Sequence, residues 1–370
     1  MEIYLDNASA TKIDEEVLEV IKETYKENYA NPSSLHLKGE KALERLNLEK
    51  EKVSKLLNCK SSELVFTSTG TESINLAIKG LINNQKKHIV TSAIEHPAVL
   101  ESCKYLEEFG FKTTILGVNK EGFIDLEKLR KAITKDTILV TIQYASNEIG
   151  TIQNIKEISK ICKDFKVLFH TDACQAVYED LNLKNLNVDL LSLNGIKFHG
   201  PHLGLLYVKE GIKLEPLIHG GGQQNNRRSG TEDLAYISGF SCGLEKLFKN
   251  KDKEKIKRFR DKLVKGILEI KDTYLIGPKE NRICNNATIV FKGLIADSLI
   301  LRLSDYELYI SSGAACASRA KKPSHVLNAI NLNEKDRESS LRFTLSKYTT
   351  EEEIEKAIEI VKKVAKELRG

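Results

Sequence analysis

The sequence has no tryptophan and a single methionine, and neither scarcity bears on function. Four other absences exclude more. No two of the seven cysteines (59, 103, 162, 174, 242, 284 and 316) are spaced as CxxC, so neither a disulfide framework nor a zinc site is expected, and no metal ligand is assigned. An odd number of cysteines without such pairs fits a reducing compartment. No stretch approaches the roughly 18 apolar residues that a membrane span requires. The opening MEIYLDNASATKIDEE lacks the basic stretch followed by an apolar one that marks a secretory signal. Together these point to a soluble, cytoplasmic protein with no membrane partner. Charge of one sign is also missing: 57 basic residues face 52 acidic ones, a net +5. The charges are spread through helical stretches, which is a solvated surface and not a nucleic-acid footprint. There is no internal repeat and no low-complexity tract.

What is present is a core-forming chain. Hydrophobic residues make up 41% of 370 positions, enough for two domains or one large α/β unit with an appendage. Val17, Leu18, Ile21 and Tyr25 recur at helical spacing over 14–28, and 37–57 reads as a long charged helix. Strands are expected at 63–68, 88–92, 113–116, 137–143, 166–170 and 189–193, with helices at 71–82 and 97–110. Several of these strands are apolar on both faces, as parallel strands between helices are. The alternation argues for an open α/β sheet covered by helices. After about residue 230 the rhythm changes. A helical stretch from 233 to about 270, interrupted near Asn250, leads to strands at 286–291 and 341–345. A closing helix at 350–368 carries Thr350 and Glu353 in a capping-box pattern.

Three segments gain meaning together. Thr67-Ser68-Thr69-Gly70-Thr71 follows a strand and opens a helix, where Gly70 permits a tight turn and Thr71 can offer its amide and hydroxyl to a phosphate. Asp172 ends an apolar strand at the edge where open α/β sheets bind ligands. The next strand runs into Asn194-Gly195-Ile196-Lys197. Each alone is ordinary: a helix cap, a strand-end acid, a solvated lysine. A phosphate cradle, a lysine amine and an acid are also what pyridoxal phosphate needs for its phosphate, its aldehyde and its pyridinium nitrogen.

The chain resembles the cysteine desulfurases, within the class V aminotransferase-like, fold-type I pyridoxal-phosphate enzymes. The resemblance rests on YLDNASAT, NPSSLH, FTSTGTESINLAIKG, EHPAV, SNEIGTIQ, FHTDACQA, NGIKFHGP, RRSGTEDL, SSGAACAS and LRFTLSKYTTEEE, and it spans nearly the whole chain. It implies a large domain, 15–250, with a mainly parallel seven-stranded sheet covered by helices. It also implies a smaller α+β domain formed by 1–14 and 251–370.

By this resemblance Gly70 and Thr71 bind the phosphate, and His96 stacks on the ring and takes part in catalysis. Asn147 contacts the ring oxygen or the substrate, Asp172 pairs with the pyridinium nitrogen, and Gln175 meets the ring hydroxyl. Asn194 supports the phosphate, Lys197 is the Schiff-base lysine and Arg342 clamps the substrate carboxylate. Thr231 reaches a phosphate in the neighbouring subunit of a homodimer. Cys316, among small residues and followed by Arg319, Lys321 and Lys322, is the nucleophile. An unperturbed thiol is only about 3% thiolate at pH 7, and nearby cations favour more. The implied reaction takes sulfur from L-cysteine, leaves L-alanine, and passes a persulfide from Cys316 to an acceptor protein serving iron–sulfur assembly or tRNA thiolation. A selenocysteine lyase, another β-elimination enzyme, and a weakly active binding or regulatory subunit are the competing readings. The sequence departs from the family where Ser-x-His-Lys is usual and Asn194-Gly195-Ile196-Lys197 stands. Further departures are His202-Leu203 in place of Lys-Gly, and Ala314 where serine is common.

Overall fold

The computed structural model describes residues 1–249, 252–312 and 324–370. Among these, the strands form three sheets. The largest holds β2 (Leu64–Thr67), β3 (His88–Ser92), β4 (Lys112–Leu116), β5 (Thr137–Thr141), β6 (Leu168–Asp172), β7 (Leu190–Asn194) and β8 (Gly204–Val208), in the order β2-β8-β7-β6-β5-β3-β4. From β4 across to β7 every pairing is parallel. β8 runs antiparallel to both of its neighbours. Parallel neighbours need a crossover between them, and helices such as Pro97–Glu107 and Ile155–Asp164 supply it. β3 and β8 are buried along their whole length, whereas β4, at the edge, exposes Lys112 and Ile115. The α/β architecture expected from the alternation is therefore the one observed, with the seven strands that the resemblance implied.

Two differences from the sequence reading have local causes. The strand expected at 166–170 begins two residues later, because Lys166 has a φ of 55° and closes the turn after the helix Ile155–Asp164. The shift makes Asp172 the last residue of β6. β8 has no counterpart among the expected strands; a short apolar run between turns does not declare its type by periodicity.

A second, antiparallel sheet is ordered β12 (Ser311–Ser312), β13 (Ser340–Thr344), β10 (Asn286–Phe291), β9 (Thr273–Ile276). Its core gathers Ile289, Phe291 and Phe343 with residues of the helices Lys253–Ile267 and Glu351–Glu367. The last helix starts as its sequence indicates: Thr350 and Glu353 form a reciprocal capping box. β1 (Ile3–Tyr4) pairs in parallel with β11 (Leu308–Tyr309), and Ile3 and Leu5 join this same core.

One helix supports two loops at the C-terminal edge of the large sheet. Phe240, on Leu234–Lys249, is fully buried and meets the rings of Phe66 and Phe198 edge-on, at 5.6 and 5.1 Å between centroids. Phe66 leads into the Thr67–Thr71 turn, and Phe198 follows Lys197 directly. Phe240→Ala should therefore cost about 3–5 kcal/mol, the usual penalty for emptying an aromatic core site. Urea unfolding monitored by circular dichroism will show the midpoint fall; an unchanged midpoint would mean that the site collapses without loss.

Candidate active site

A cavity of about 410 Å³ opens where the ends of β3, β6 and β7 meet β13 and the N-terminal segment. One end of it is built by the turn after β2. Thr69 caps the helix Gly70–Lys79, its hydroxyl accepting from Glu72 N at 3.2 Å and its carbonyl from Ser73 N at 3.1 Å. Among the amides that begin this helix without an intrahelical partner are those of Gly70 and Thr71. A Cβ on residue 70 would lie 2.9 Å from Cys174 Sγ and 3.1 Å from Asn194 Cβ, so only glycine brings the backbone this close. Asn194, the last residue of β7, has a buried Oδ1 with no protein partner.

At the other end, the turn Gly195–Lys197 directs the Lys197 ammonium to donate to the carbonyls of Ala8 and Ser9, both at 2.7 Å. Gln175 Nε2 donates to the same Ala8 carbonyl at 2.9 Å. Asp172 accepts from Cys174 N at 3.0 Å. Arg342 is 2% exposed. Its Nη2 donates to Asp6 Oδ1 and to Ser9 Oγ, each at 2.9 Å, its Nη1 to the Asn147 carbonyl at 3.2 Å, and its buried Nε has no protein partner. His96 caps the helix Pro97–Glu107, accepting from Ala98 N through Nδ1 at 3.0 Å, which requires that nitrogen to be unprotonated. Burial holds its pKa below the usual imidazole value; Asp172 opposes this, while Lys197 and His325 add to it. His96 is therefore a neutral ring, suited to stacking.

Nine expected residues thus line one cavity: Gly70, Thr71, His96, Asn147, Asp172, Gln175, Asn194, Lys197 and Arg342. Thr231 does not line it and is exposed. Cys316 lies outside the described residues. Cys174 lines the cavity, but burial pushes its thiol well above the ordinary value, so it stays a thiol. The sequence reading assigned no role to Ala8 and Ser9, which act largely through backbone carbonyls, or to Gln143, Glu148, Ser324 and His325, which also line the cavity. Glu95 closes the floor: it accepts from Gln143 N at 2.9 and 3.0 Å and from Ser92 Oγ at 2.5 Å. The only signal for Glu95 and Glu148 in the sequence is their place inside EHPAV and SNEIGTIQ. Among the described residues no group of three or more His, Cys, Asp or Glu could hold a metal ion, and no helix is long and apolar enough to cross a membrane.

An α/β sheet with a lysine, an acid and a helix start at its C-terminal edge defines a class, and the class-V aminotransferase family model matches residues 3–357. The cysteine desulfurase IscS of Dictyoglomus turgidum is 44% identical over 376 residues, which cover all of this chain and 95% of that protein. Among solved structures, a NifS-like protein superposes with a TM-score of 0.93 at 35% identity over the whole of both chains. The structure of SspA in complex with cysteine gives 0.84 at 34% identity, covering 94% of this chain and all of that one. The chain belongs to the cysteine desulfurase family.

Burial around the cavity sets a pH dependence. It raises Glu95 to about 8 and Glu148 to about 7 from an ordinary 4.5, against the hydrogen bonds they accept. The folded protein then holds protons that the unfolded chain has released, so stability falls as pH rises from about 4.5 to about 8. His170 and His199, pushed down to about 4 by burial from 6.5, act in the opposite sense, losing stability as pH falls below 6.5. Between pH 6.5 and 8 the carboxyls lose more stability than the two histidines, already half deprotonated in the unfolded chain at 6.5, return. The urea midpoint should be lower at pH 8 than at 6.5, and Glu95→Gln should remove part of that fall; parallel pH profiles for the two proteins would contradict it.

Proposed function

We propose that this chain is a cytoplasmic, homodimeric cysteine desulfurase that binds pyridoxal 5′-phosphate. It removes sulfur from L-cysteine, gives L-alanine and a persulfide on Cys316, and passes that sulfur to an acceptor protein for iron–sulfur assembly or tRNA thiolation. The observation that carries this reading is the convergence of Gly70, Thr71, Asp172, Lys197 and Arg342, from four separated stretches of the chain, on one cavity.

The donor set fits the cofactor. The Gly70 and Thr71 amides sit at a helix start, where the dipole favours a phosphate. The Asn194 amide has no protein partner for its oxygen, and turned end for end it offers Nδ2 to the same phosphate. Asp172 suits a protonated pyridine nitrogen, Gln175 the ring hydroxyl and neutral His96 the ring face. When bound, the cofactor supplies an aldehyde for Lys197 and an electron-withdrawing ring that acidifies the substrate Cα. Lys197 Nζ, once a free neutral amine, is the group that takes the Cα proton. Arg342 presents its unpartnered Nε to the substrate carboxylate, while Asp6 and Ser9 hold Nη2. Asn147 lies beside it. In the sulfur step an S–S bond forms at Cys316 as the substrate Cβ–S bond breaks, and Cβ takes a proton: L-cysteine and a thiol give L-alanine and a persulfide.

The exposure of Thr231 agrees with a role in a second subunit. The core shared by Ile3, Leu5 and residues 256–365 supports a small domain made of 1–14 and 251–370, against a large one at 15–250. Cys316→Ser should retain the cofactor's visible band and its shift on adding L-cysteine, yet form no alanine. Undiminished alanine formation in that variant would refute the sulfur-transfer reading.

A further inference from the structure

The helix His325–Ala329 begins just beyond residues 313–323, the stretch that contains Cys316. Its start is fixed to the cavity wall by contacts that the reaction described above does not use. Ser324 caps it, accepting from Leu327 N at 3.0 Å, and the same hydroxyl donates to Glu148 Oε2 at 2.5 Å, both side chains buried. His325 lies 2.8 Å from the Glu95 carbonyl through Nε2, which must donate because a carbonyl only accepts. Val326, Leu327 and Ile330 pack with Ile94 and Ile149. The partners therefore come from two turns, 94–96 and 147–149, and these same turns carry His96 and Asn147 into the cavity. The Glu148 backbone is itself anchored, its carbonyl accepting from Thr288 Oγ1 and, at 3.4 Å, from Asn286 Nδ2 of β10.

The other end of the stretch is tied as well. Ser311 and Ser312 pair with Arg342 and Leu341, so β12 lies along the strand that carries the carboxylate-binding arginine. Cys316 stands four positions after Ser312 and eight before Ser324. A buried carboxyl costs stability by itself, which makes a second purpose for Glu148 physically reasonable.

We propose that Glu148, acting through Ser324, is a positioning residue for sulfur transfer: together with the His325–Glu95 bond it fixes the far end of the cysteine-bearing stretch to the cavity wall. This rests on the desulfurase reading, with Cys316 as the sulfur acceptor. Glu148 acts on where the thiol can be, not on the binding of L-cysteine.

The test uses the cofactor-loaded protein and three variants. Glu148→Ala and Ser324→Ala should each slow alanine formation by about tenfold to a hundredfold, the scale of a misplaced reacting group. The shift of the visible band with L-cysteine should keep its amplitude and midpoint. The double variant should be no slower than the slower single one, since both remove one contact. Glu148→Gln, which keeps an acceptor for the Ser324 hydroxyl, should recover most of the rate. Amide hydrogen exchange at 325–329 should quicken in Glu148→Ala, a readout that needs no turnover. Alanine formation within about twofold of the unaltered protein in both single variants overturns the proposal, as does joint loss of the band shift and of alanine formation. If Glu148→Ala does not fold, Ser324→Ala decides alone by the same criteria. Failure of the underlying reading looks different: the unaltered protein itself forms no alanine, or Cys316→Ser forms it undiminished.

Discussion

The Lys197 ammonium rests on two backbone carbonyls, Ala8 and Ser9, and the rest of the cavity is arranged around the segment that supplies them. Asp6 and Ser9 hold Arg342, and the Ala8 carbonyl also takes Gln175. The segment is itself held from both sides. Upstream, β1 pairs with β11, and Asn7 N and Nδ2 donate to the carbonyl of Thr344, the last residue of Arg342's own strand. Downstream, Thr11 bonds the Ile196 carbonyl through its amide at 3.0 Å and its hydroxyl at 2.7 Å. Asp14, held far below the ordinary carboxylate range despite its partial burial, accepts from Lys347, Tyr348 and Lys246. A short strap therefore sets the separation between the lysine on the large sheet and the arginine on the small one. Neither residue has to be positioned across empty space by its own element.

The strap also accounts for the charge distribution. Arg342 is buried, and a buried cation without a partner is strongly destabilising; Asp6, only partly exposed, provides the opposite charge at 2.9 Å. Using Nη2 for that purpose leaves Nε buried and without a protein partner, the donor that the proposed reading gives to the substrate carboxylate. The pairing supplies charge balance without consuming every donor. Around it the titratable groups are kept neutral by burial: His96 as a ring, Cys174 as a thiol, Glu95 and Glu148 as carboxyls over much of the neutral range. Few full charges then compete with one another inside a small volume.

This division explains what could be read from the sequence. Gly70, Asp172 and Lys197 were legible because each lies at a strand end or helix start, and local pattern reports such places. Arg342 became legible only through the family resemblance. The strap was not, because Ala8 and Ser9 contribute carbonyls, which every residue has, and because its partners are some 190 and 330 positions away in the chain, as in Lys197–Ala8 and Arg342–Ser9. Glu148 and Ser324 were missed for a related reason. Their hydrogen bond joins SNEIGTIQ to a serine 176 positions away that lies in none of the quoted motifs. β8 was missed because it follows β7 antiparallel with no crossover helix between them, outside the strand–helix alternation that marked the others.

Ile196 shows how placement and affinity separate. The resemblance leads one to expect a histidine here that would help hold the phosphate, and an isoleucine has no donor to offer. Its side chain is buried, and it does not line the cavity. What orients the Gly195–Lys197 turn at this position is the Ile196 carbonyl, bonded twice by Thr11, and a carbonyl is indifferent to the side chain that accompanies it. Gly195 is the stricter requirement, since a Cβ there would lie 2.4 Å from the Pro201 carbonyl oxygen. Under the proposed reading, isoleucine here would cost one charge-assisted bond to a bound phosphate, about 1.5–3 kcal/mol of binding, and leave Lys197 where the strap holds it. The proposed phosphate end would then depend on the Gly70 and Thr71 amides with Asn194, a weaker grip with the lysine's geometry intact.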